Sequence, residues 1–208
     1  MADVIIHGLA PSSYTRTVRM ACWEKGLSHE LRPADLRADD YPQIHPFRKV
    51  PALDHGPVRI YETTAILRYL DDRFDGPSLT PAAPVERAAM ETWLSVLNCY
   101  LYPDAVRDLV LQYVFPRGPD GQPDQPTIDA AVPRARRTIG LLDRRLADRD
   151  WIAGDALSLA DLALVPVVAS LGRLPVAEAV LGDAPQVARW RDAIARRPSF
   201  QQAHAGLG

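Results

Sequence analysis

The chain has 208 residues, of which 47% are hydrophobic and 24% charged, a balance typical of a globular protein with one large or two small domains. A net charge of -2 argues against nucleic acid and anionic membranes as partners, because both require a basic surface. Two cysteines, Cys22 and Cys99, are too few for a disulfide framework or a zinc site. Both fall in helical patterns, where we expect small core residues.

The first residues do not predict export. Asp3 stands where a signal peptide needs basic residues, and the apolar run after it is too short for export or for spanning a membrane. We therefore expect a cytoplasmic protein.

The segment from Val4 to Gly26 predicts a strand, a loop and a helix. Val4 to Ile6 form a continuous apolar run, which is typical of a strand buried on both faces. Pro11 to Ser13 interrupt the chain, and apolar residues then return at helical spacing until Gly26 ends the helix. These helical positions are Val18, Ala21, Cys22 and Leu27.

The following segment predicts three further strands. His29 to Pro33 shows the weak alternation of a strand, which a right-handed crossover would place parallel to the first. Asp35 to His45 is polar and predicts a short helix or irregular chain. Ala52 to Tyr61 predicts a tight hairpin, and a helix follows from Thr63 to about Gly76. The predicted order is thus β-α-β-α-β-β-α, an α/β arrangement.

Two unusual local signals flank the hairpin. Val50-Pro51 precedes it, and a proline that opens a strand can be cis and leaves the preceding backbone available for pairing. Glu62-Thr63 follows it, and Thr63 as an N-cap would leave helix N–H groups that favour a carboxylate. Taken alone, this stretch is explained best by a hairpin and a capped helix without a ligand.

The remainder of the chain predicts helices alone. Gly76 to Pro84 carries three prolines among small residues and marks a linker. Pro103 kinks or ends the helix that starts near Glu86. Apolar residues from Ile128 to Leu146 repeat every three or four positions, and a last helix runs from Pro185 to Arg196.

Ser158 to Asp161 form a capping box, with the acidic residue at the third helical position. This box is a folding signal, and its position argues against Asp161 as a catalytic acid. The chain therefore divides into a first domain of residues 1–76, a linker of residues 77–84, and an all-helical domain of residues 85–208.

In this order, the signals resemble those of the cytosolic glutathione S-transferase family over nearly the whole chain. Each piece is weak alone, but the ordered set is specific. The residues that carry the resemblance are Ser12 with Val18-Arg19, Glu24 to Leu27, His45 to Leu53, Tyr61 to Ile66, Gly154-Asp155 with Ser158 to Leu162, and Arg197 to Ser199. The resemblance implies a thioredoxin-like N-terminal domain and an all-α C-terminal domain.

The resemblance also implies that glutathione is the cosubstrate and that Ser12 is the activating hydroxyl of the serine-type classes. A hydroxyl donor beside sulfur favours thiolate over thiol, and the following helix N-terminus adds positive potential. Ser13, one residue along, remains the alternative and counts among the glutathione-binding residues. Tyrosine-type members place their hydroxyl at the end of the first strand, where this chain has His7.

Further glutathione contacts follow from the same resemblance. The Val50 backbone resembles the group that pairs with the cysteinyl part, made available by Pro51. Glu62 and Thr63 resemble the pair that holds the γ-glutamyl end. Lys49 either binds the glycyl carboxylate or is an ordinary solvated lysine.

The implied electrophile is small and hydrophobic, and the implied assembly is a homodimer without a metal. The residues expected to bind the electrophile are Pro11, Tyr14, Tyr100, Arg107 and Tyr113.

Some positions depart from the family pattern. His45-Pro46 replaces the familiar Asn-Pro, Arg48 replaces a common glycine, and Thr17-Val18 replaces the usual Arg-Val. The loop Ser12 to Tyr14 contains no cysteine, which disfavours both maleylacetoacetate-type isomerisation and disulfide reduction.

Elements of the fourth helix, including Trp93 and Tyr102-Pro103, resemble the phi class, so a bacterial phi-like enzyme is the nearest relative implied.

Two other functions stay open. One is a non-catalytic glutathione- or protein-binding module, since a fold does not guarantee activity. The other is an isomerase or lyase of a specialised pathway. Lysine occurs only at positions 25 and 49, so all the other residues among the 24 lysines and arginines are arginine. This preference for arginine over lysine suggests a G+C-rich genome. If the source is an actinobacterium, a different thiol can replace glutathione.

Overall fold

The computed structural model describes residues 2–206, which form two compact units. The first unit comprises the residues up to Thr80 together with those from Ala195 onward. The second unit runs from Pro81 to Ile194.

Within residues 2–206, the first unit contains a four-stranded mixed sheet in the order β2-β1-β3-β4. The strands are β1 (Val4–Gly8), β2 (His29–Pro33), β3 (Ala52–His55) and β4 (Val58–Tyr61). β2 is parallel to β1, as the predicted crossover requires, and β3 is antiparallel to both β1 and β4. The predicted α/β class and the predicted hairpin are confirmed.

Helices α1 (Ser13–Glu24) and α2 (Thr63–Arg73) complete the α/β arrangement and contact each other. The helix expected between β2 and β3 is only a single 3-10 turn, Tyr41–Gln43. From Asp35 to His45 the buried side chains are Tyr41 and His45, which form no apolar stripe that could hold a longer helix in place.

Helix α1 begins and ends where the sequence indicates. Gly26 adopts a positive φ of 71°, and the N–H of Leu27 donates to the carbonyl of Cys22 at 2.8 Å. This is the glycine-closed helix end in which the left-handed residue costs little. Cys22 is buried, and burial raises the pKa of its thiol to about 12, so it is an unreactive core residue.

The second unit is helical. Its elements are α3 (Pro84–Val96), a π-helical segment (Leu97–Val110), α4 (Leu111–Val114), α5 (Gln125–Arg145), α6 (Leu159–Leu171), α7 (Ala177–Leu181) and α8 (Pro185–Ala195). Helix α6 lies at the centre of the core, with almost every residue buried. The predicted all-helical domain is confirmed.

Pro103 neither ends its helix nor separates two helices, because it lies inside the π-helical segment. A π-helix pairs each N–H with the carbonyl five residues earlier, so it can continue through a position where an α-helix would be interrupted. The apolar face nevertheless continues through the segment, with Leu101, Val106 and Leu109 buried.

A final helix, α9 (Pro198–His204), belongs to the first unit, although the sequence assigned residues 85–208 to the helical domain. The side chain of Glu24 in α1 accepts hydrogen bonds from Arg197 at 2.6 and 2.8 Å and also from Ser199. These contacts, together with the packing of α9 on α1, tie the end of the chain to the first unit.

Cys99 corrects another expectation, since it is exposed and not a core residue. It lies in the π-helical segment, where a pattern read at the α-helical period assigns the wrong face. Among residues 2–206, none of the helices combines the length and the apolar character needed to cross a membrane.

Candidate functional site

Three chain segments meet at one end of the sheet in the first unit. His7, near the end of β1, pairs with Ala52 at the start of β3, and Ala52 also pairs with Tyr61 at the end of β4. The loop after β1, the loop before β3 and the loop after β4 therefore leave the sheet at the same end of its strands. These loops contain Ser12, Lys49 to Pro51, and Glu62 with Thr63.

Ser12 is the N-cap of α1, and its Oγ accepts a hydrogen bond from the Thr15 N–H at 3.3 Å. A hydroxyl has one proton to donate besides the lone pairs that it offers as an acceptor, so capping leaves the Ser12 proton available. Ser12 is half-buried, whereas Ser13 is only 7% exposed. The more accessible of the two hydroxyls is thus the one that caps the helix.

Gly8 allows α1 to approach the end of β1 closely. A Cβ atom on Gly8 would lie 2.6 Å from Cγ2 of Thr15, which is far shorter than any normal carbon contact. The absence of a side chain at Gly8 therefore fixes how near the first turn of α1, and with it Ser12, lies to the sheet.

The Val50–Pro51 peptide bond is cis, as the sequence suggested. Lys49, which precedes Val50, is held by Tyr41, because the hydroxyl of this buried residue donates to the Lys49 carbonyl at 2.8 Å. Sequence reasoning missed Tyr41, since a single aromatic residue in a polar segment gives no signal of its partner.

Glu62, not Thr63, is the N-cap residue of α2, and its φ of 70° is in the left-handed region. Thr63 is instead the first helical residue and is 7% exposed. A non-glycine residue pays for this conformation with about 1–3 kcal/mol, and strain of this kind concentrates at functional sites. No local sequence signal distinguishes a left-handed glutamate from an ordinary one.

Two of the charged side chains in these loops form no ion pair in the part of the chain that the structure describes. The Glu62 carboxylate and the Lys49 ammonium are both exposed and form no ion pair with residues 2–206. Their charges reach the nearby imidazole of His45, whose pKa is lowered by burial, raised by Glu62 and lowered by Lys49. An unpaired carboxylate at Glu62 and an unpaired ammonium at Lys49 suit a ligand that has both an ammonium and a carboxylate group.

His7 does not share this freedom. Its Nε2 lies 2.8 Å from Oδ2 of Asp54, and the same carboxylate is held by the Arg59 guanidinium at 2.7 Å. His7 is therefore bound within the sheet.

The residues expected to bind the electrophile are divided between the units. Pro11 and Tyr14 belong to the first unit, where Pro11 is exposed and Tyr14 half-buried. In the second unit, Tyr100 is 62% exposed, and Tyr113 is half-buried in α4. The Arg107 guanidinium donates to the Asp108 carboxylate at 2.7 and 3.1 Å, so this side chain already has a partner.

Residues 2–206 hold no group of three or more histidine, cysteine or acidic side chains arranged to bind a metal ion.

Comparisons with known proteins identify the family of the chain. The family descriptions "Glutathione S-transferase, N-terminal domain" and "Glutathione S-transferase, C-terminal domain" match residues 6–78 and 105–198. Glutathione S-transferase 3 of Zea mays is 31% identical over 100% of this chain and 96% of its own. The chain belongs to the glutathione S-transferase family.

Solved structures of this family share the whole fold. Glutathione transferase F7 from Populus trichocarpa has a TM-score of 0.89 and 27% identity, with 99% of each chain covered. A glutathione S-transferase-I bound with lactoylglutathione has a TM-score of 0.85 and 28% identity, covering 98% of this chain and 99% of that one. The phi-like resemblance of the sequence is confirmed, and the chain is a transferase enzyme that uses glutathione.

Proposed function

We propose that this glutathione transferase binds glutathione at one end of the sheet in its first unit, holds the sulfur as thiolate with Ser12, and joins it to a small hydrophobic electrophile. The observation that carries the proposal is the meeting of the Ser12, Lys49–Pro51 and Glu62–Thr63 segments at one end of β1, β3 and β4. Each segment offers a different group to the same bound peptide.

Catalysis rests on ionising the thiol. A free thiol with a pKa of about 8.5 is mostly protonated near neutral pH, and the thiolate is the nucleophile. The Ser12 hydroxyl accepts from the Thr15 N–H and donates its own proton to the sulfur, which stabilises the anion. The N-terminus of α1 adds positive potential at the same point.

Ser12 is not itself a nucleophile in this mechanism. The sulfur of glutathione attacks the electrophilic carbon and forms a carbon–sulfur bond. In a substitution, the bond to the leaving group breaks and the leaving group departs with that electron pair. In an addition, the carbon–carbon π bond breaks, its electron pair moves away from the attacked carbon, and the resulting anion takes up a proton from water. Positioning of the two substrates supplies the remainder of the rate.

The peptide is held by backbone and charge. The Val50 backbone pairs with the cysteinyl part, because Pro51 has no N–H and directly precedes β3, which begins at Ala52. The Glu62 carboxylate binds the γ-glutamyl ammonium, and the helix N-terminus at Thr63 binds the γ-glutamyl carboxylate. Lys49 binds the glycyl carboxylate, and Ser13 supports the loop beside the sulfur.

The electrophile is bound by apolar and aromatic side chains. The candidates in the first unit are Pro11 and Tyr14, and the candidates in the second unit are Tyr100 and Tyr113. Arg107 contributes least, because its guanidinium is already paired with Asp108.

A homodimer in the cytoplasm, without a metal, completes the proposal. Phe47 is 65% exposed and Tyr61 39%, and their ring centroids lie 6.4 Å apart. An exposed aromatic pair on a folded unit is typical of a surface that another protein covers.

A binding and turnover experiment tests the proposed function. Glutathione is titrated into the protein while thiolate absorbance is followed, and an aryl halide then serves as electrophile. We expect saturable binding, thiolate at neutral pH and conjugate formation. Absence of glutathione binding would overturn the proposal, and binding without turnover would favour the non-catalytic module. Preference for a thiol that lacks the γ-glutamyl group would favour the specialised-pathway enzyme.

A further inference from the structure

Two short segments ahead of Val50 are bonded to each other by side chains. Nη1 of Arg48 donates to the carbonyls of Leu36 and Ala38 at 3.0 and 2.9 Å. The hydroxyl of Tyr41 donates to the Lys49 carbonyl at 2.8 Å. We call these three hydrogen bonds the brace.

Backbone hydrogen bonds close the brace into a ring. The N–H of Tyr41 donates to the carbonyl of Ala38 at 3.2 Å, the same carbonyl that Arg48 holds. The N–H of Arg48 donates to the carbonyl of His45 at 2.9 Å, and the N–H of His45 donates to the carbonyl of Tyr41 at 3.0 Å. The chain from Arg48 to Val50 is therefore held on both sides by the segment that contains Tyr41.

Arg48 has a backbone conformation that glycine adopts with less strain. Its φ is 50°, a left-handed conformation that a residue with a Cβ adopts at a cost in free energy. An arginine here strains the backbone, but its side chain adds the two hydrogen bonds to the carbonyls of Leu36 and Ala38.

The brace ends on the residue next to the proposed peptide contact. Lys49, whose carbonyl it holds, directly precedes Val50. We propose that Arg48 and Tyr41 are positioning residues, which hold the Lys49–Val50 backbone in the arrangement that pairs with the cysteinyl part of glutathione. This inference rests on the proposed function.

The brace contributes more to placement than to the stability of the fold. Arg48 is exposed, and its bonds go to an outer loop, so its removal uncovers no core. Replacement by glycine loses the two bonds but releases the left-handed strain, and these effects on stability oppose each other. Binding and stability should therefore separate in Arg48→Gly, whereas a purely structural role would move them together.

Steady-state kinetics and hydrogen exchange test the inference. We expect Arg48→Gly and Tyr41→Phe each to raise the KM for glutathione about 3- to 10-fold, with kcat within about twofold of wild type. Amides of residues 36–43 should exchange faster in the ligand-free variants than in wild type. Arg48→Ala should show the same KM effect with lower stability, because alanine keeps the strained φ. Arg32→Ala, which removes an exposed arginine paired with Glu30, is the matched control and should change neither constant.

The outcomes separate this inference from the proposed function. If wild type binds no glutathione, the proposed function falls, and the role of the brace falls with it. If wild type binds and the two variants bind as tightly, only the brace is overturned. A loss of stability in Arg48→Gly that accounts for the rise in KM would also overturn it.

Discussion

Two acidic side chains at helix N-termini illustrate opposite uses of the same residue type. Asp161, at the start of α6, is fully buried, and its two oxygens accept from Ile152 N–H, Trp190 Nε1, and both Ser158 N–H and Oγ at 2.6–3.0 Å. Glu62, at the start of α2, is exposed, has a strained backbone and pairs with no cation within residues 2–206.

The two carboxylates differ in how much hydrogen-bonding capacity remains for a ligand. Burial raises the pKa of Asp161, but the four donors stabilise its charged form, and its hydrogen-bonding capacity is used up inside the protein. Glu62 retains its full capacity for a ligand while its backbone costs stability. The Asp161 cluster therefore serves folding, whereas the Glu62 carboxylate is available for the ligand contact that we propose.

Removal of the Asp161 carboxylate should have the largest effect. We expect Asp161→Ala to lower the free energy of unfolding by about 3 kcal/mol or more, because it leaves buried donors without an acceptor. Urea unfolding at one protein concentration measures this. Asp155→Ala, an exposed aspartate in the preceding loop, should cost less than about 0.5 kcal/mol. Equal effects at Asp161 and Asp155 would contradict the role of the Asp161 hydrogen bonds in folding.

Substitution of Glu62 should separate binding from stability. We expect Glu62→Ala to weaken glutathione binding by about 1.5–3 kcal/mol, roughly tenfold or more, because a charge-assisted contact is lost. Glu62→Gly should weaken binding similarly, yet unfold at a higher temperature than Glu62→Ala because glycine accepts the φ of 70°. Calorimetric titration and thermal unfolding check both. Unchanged affinity in Glu62→Ala would contradict the site.

The Glu24 contact with α9 should give a smaller effect with a defined pH dependence. Burial acts to raise the pKa of Glu24, but hydrogen bonds from Arg197 and Ser199 lower it overall below its ordinary value of 4.5. A carboxyl with a lowered folded-state pKa contributes stability above its unfolded pKa and loses it as the pH falls through the folded value. Glu24→Gln should therefore cost about 1–2 kcal/mol at pH 7, discounted because Arg197 is 37% exposed.

Unfolding of wild type and Glu24→Gln across the acidic range checks this. The difference between them should shrink as the pH falls below about 4.5. A difference that stays constant with pH would mean that the Glu24 charge does not hold α9 on the first unit.

The parts of the fold that the sequence predicts are those with local signals. The run Val4 to Ile6, the glycine-ended α1 and the hairpin of β3 and β4 follow from patterns within a few residues. The capping box at Ser158 is equally local, and the structure confirms it. The order of these signals was enough to indicate the family.

The features that sequence patterns missed depend on distant contacts or on unusual backbone. The assignment of α9 to the first unit requires Glu24 to meet Arg197, which no local pattern indicates. The exposure of Cys99 follows from a π-helical segment that shifts its face. The positive φ values of Arg48 and Glu62 are set by surrounding structure and not by residue type.

We propose that the Ser12 hydroxyl lowers the pKa of the bound glutathione thiol, and thiolate absorbance as a function of pH measures this effect. Wild type should titrate well below the free value of about 8.5, and Ser12→Gly should titrate about 1–2 units higher than wild type. Glycine is chosen because it caps a helix almost as well as serine and so keeps the start of α1. Ser13→Ala should titrate like wild type. An unchanged thiol pKa in Ser12→Gly, or a raised pKa in Ser13→Ala alone, would contradict the assignment of Ser12.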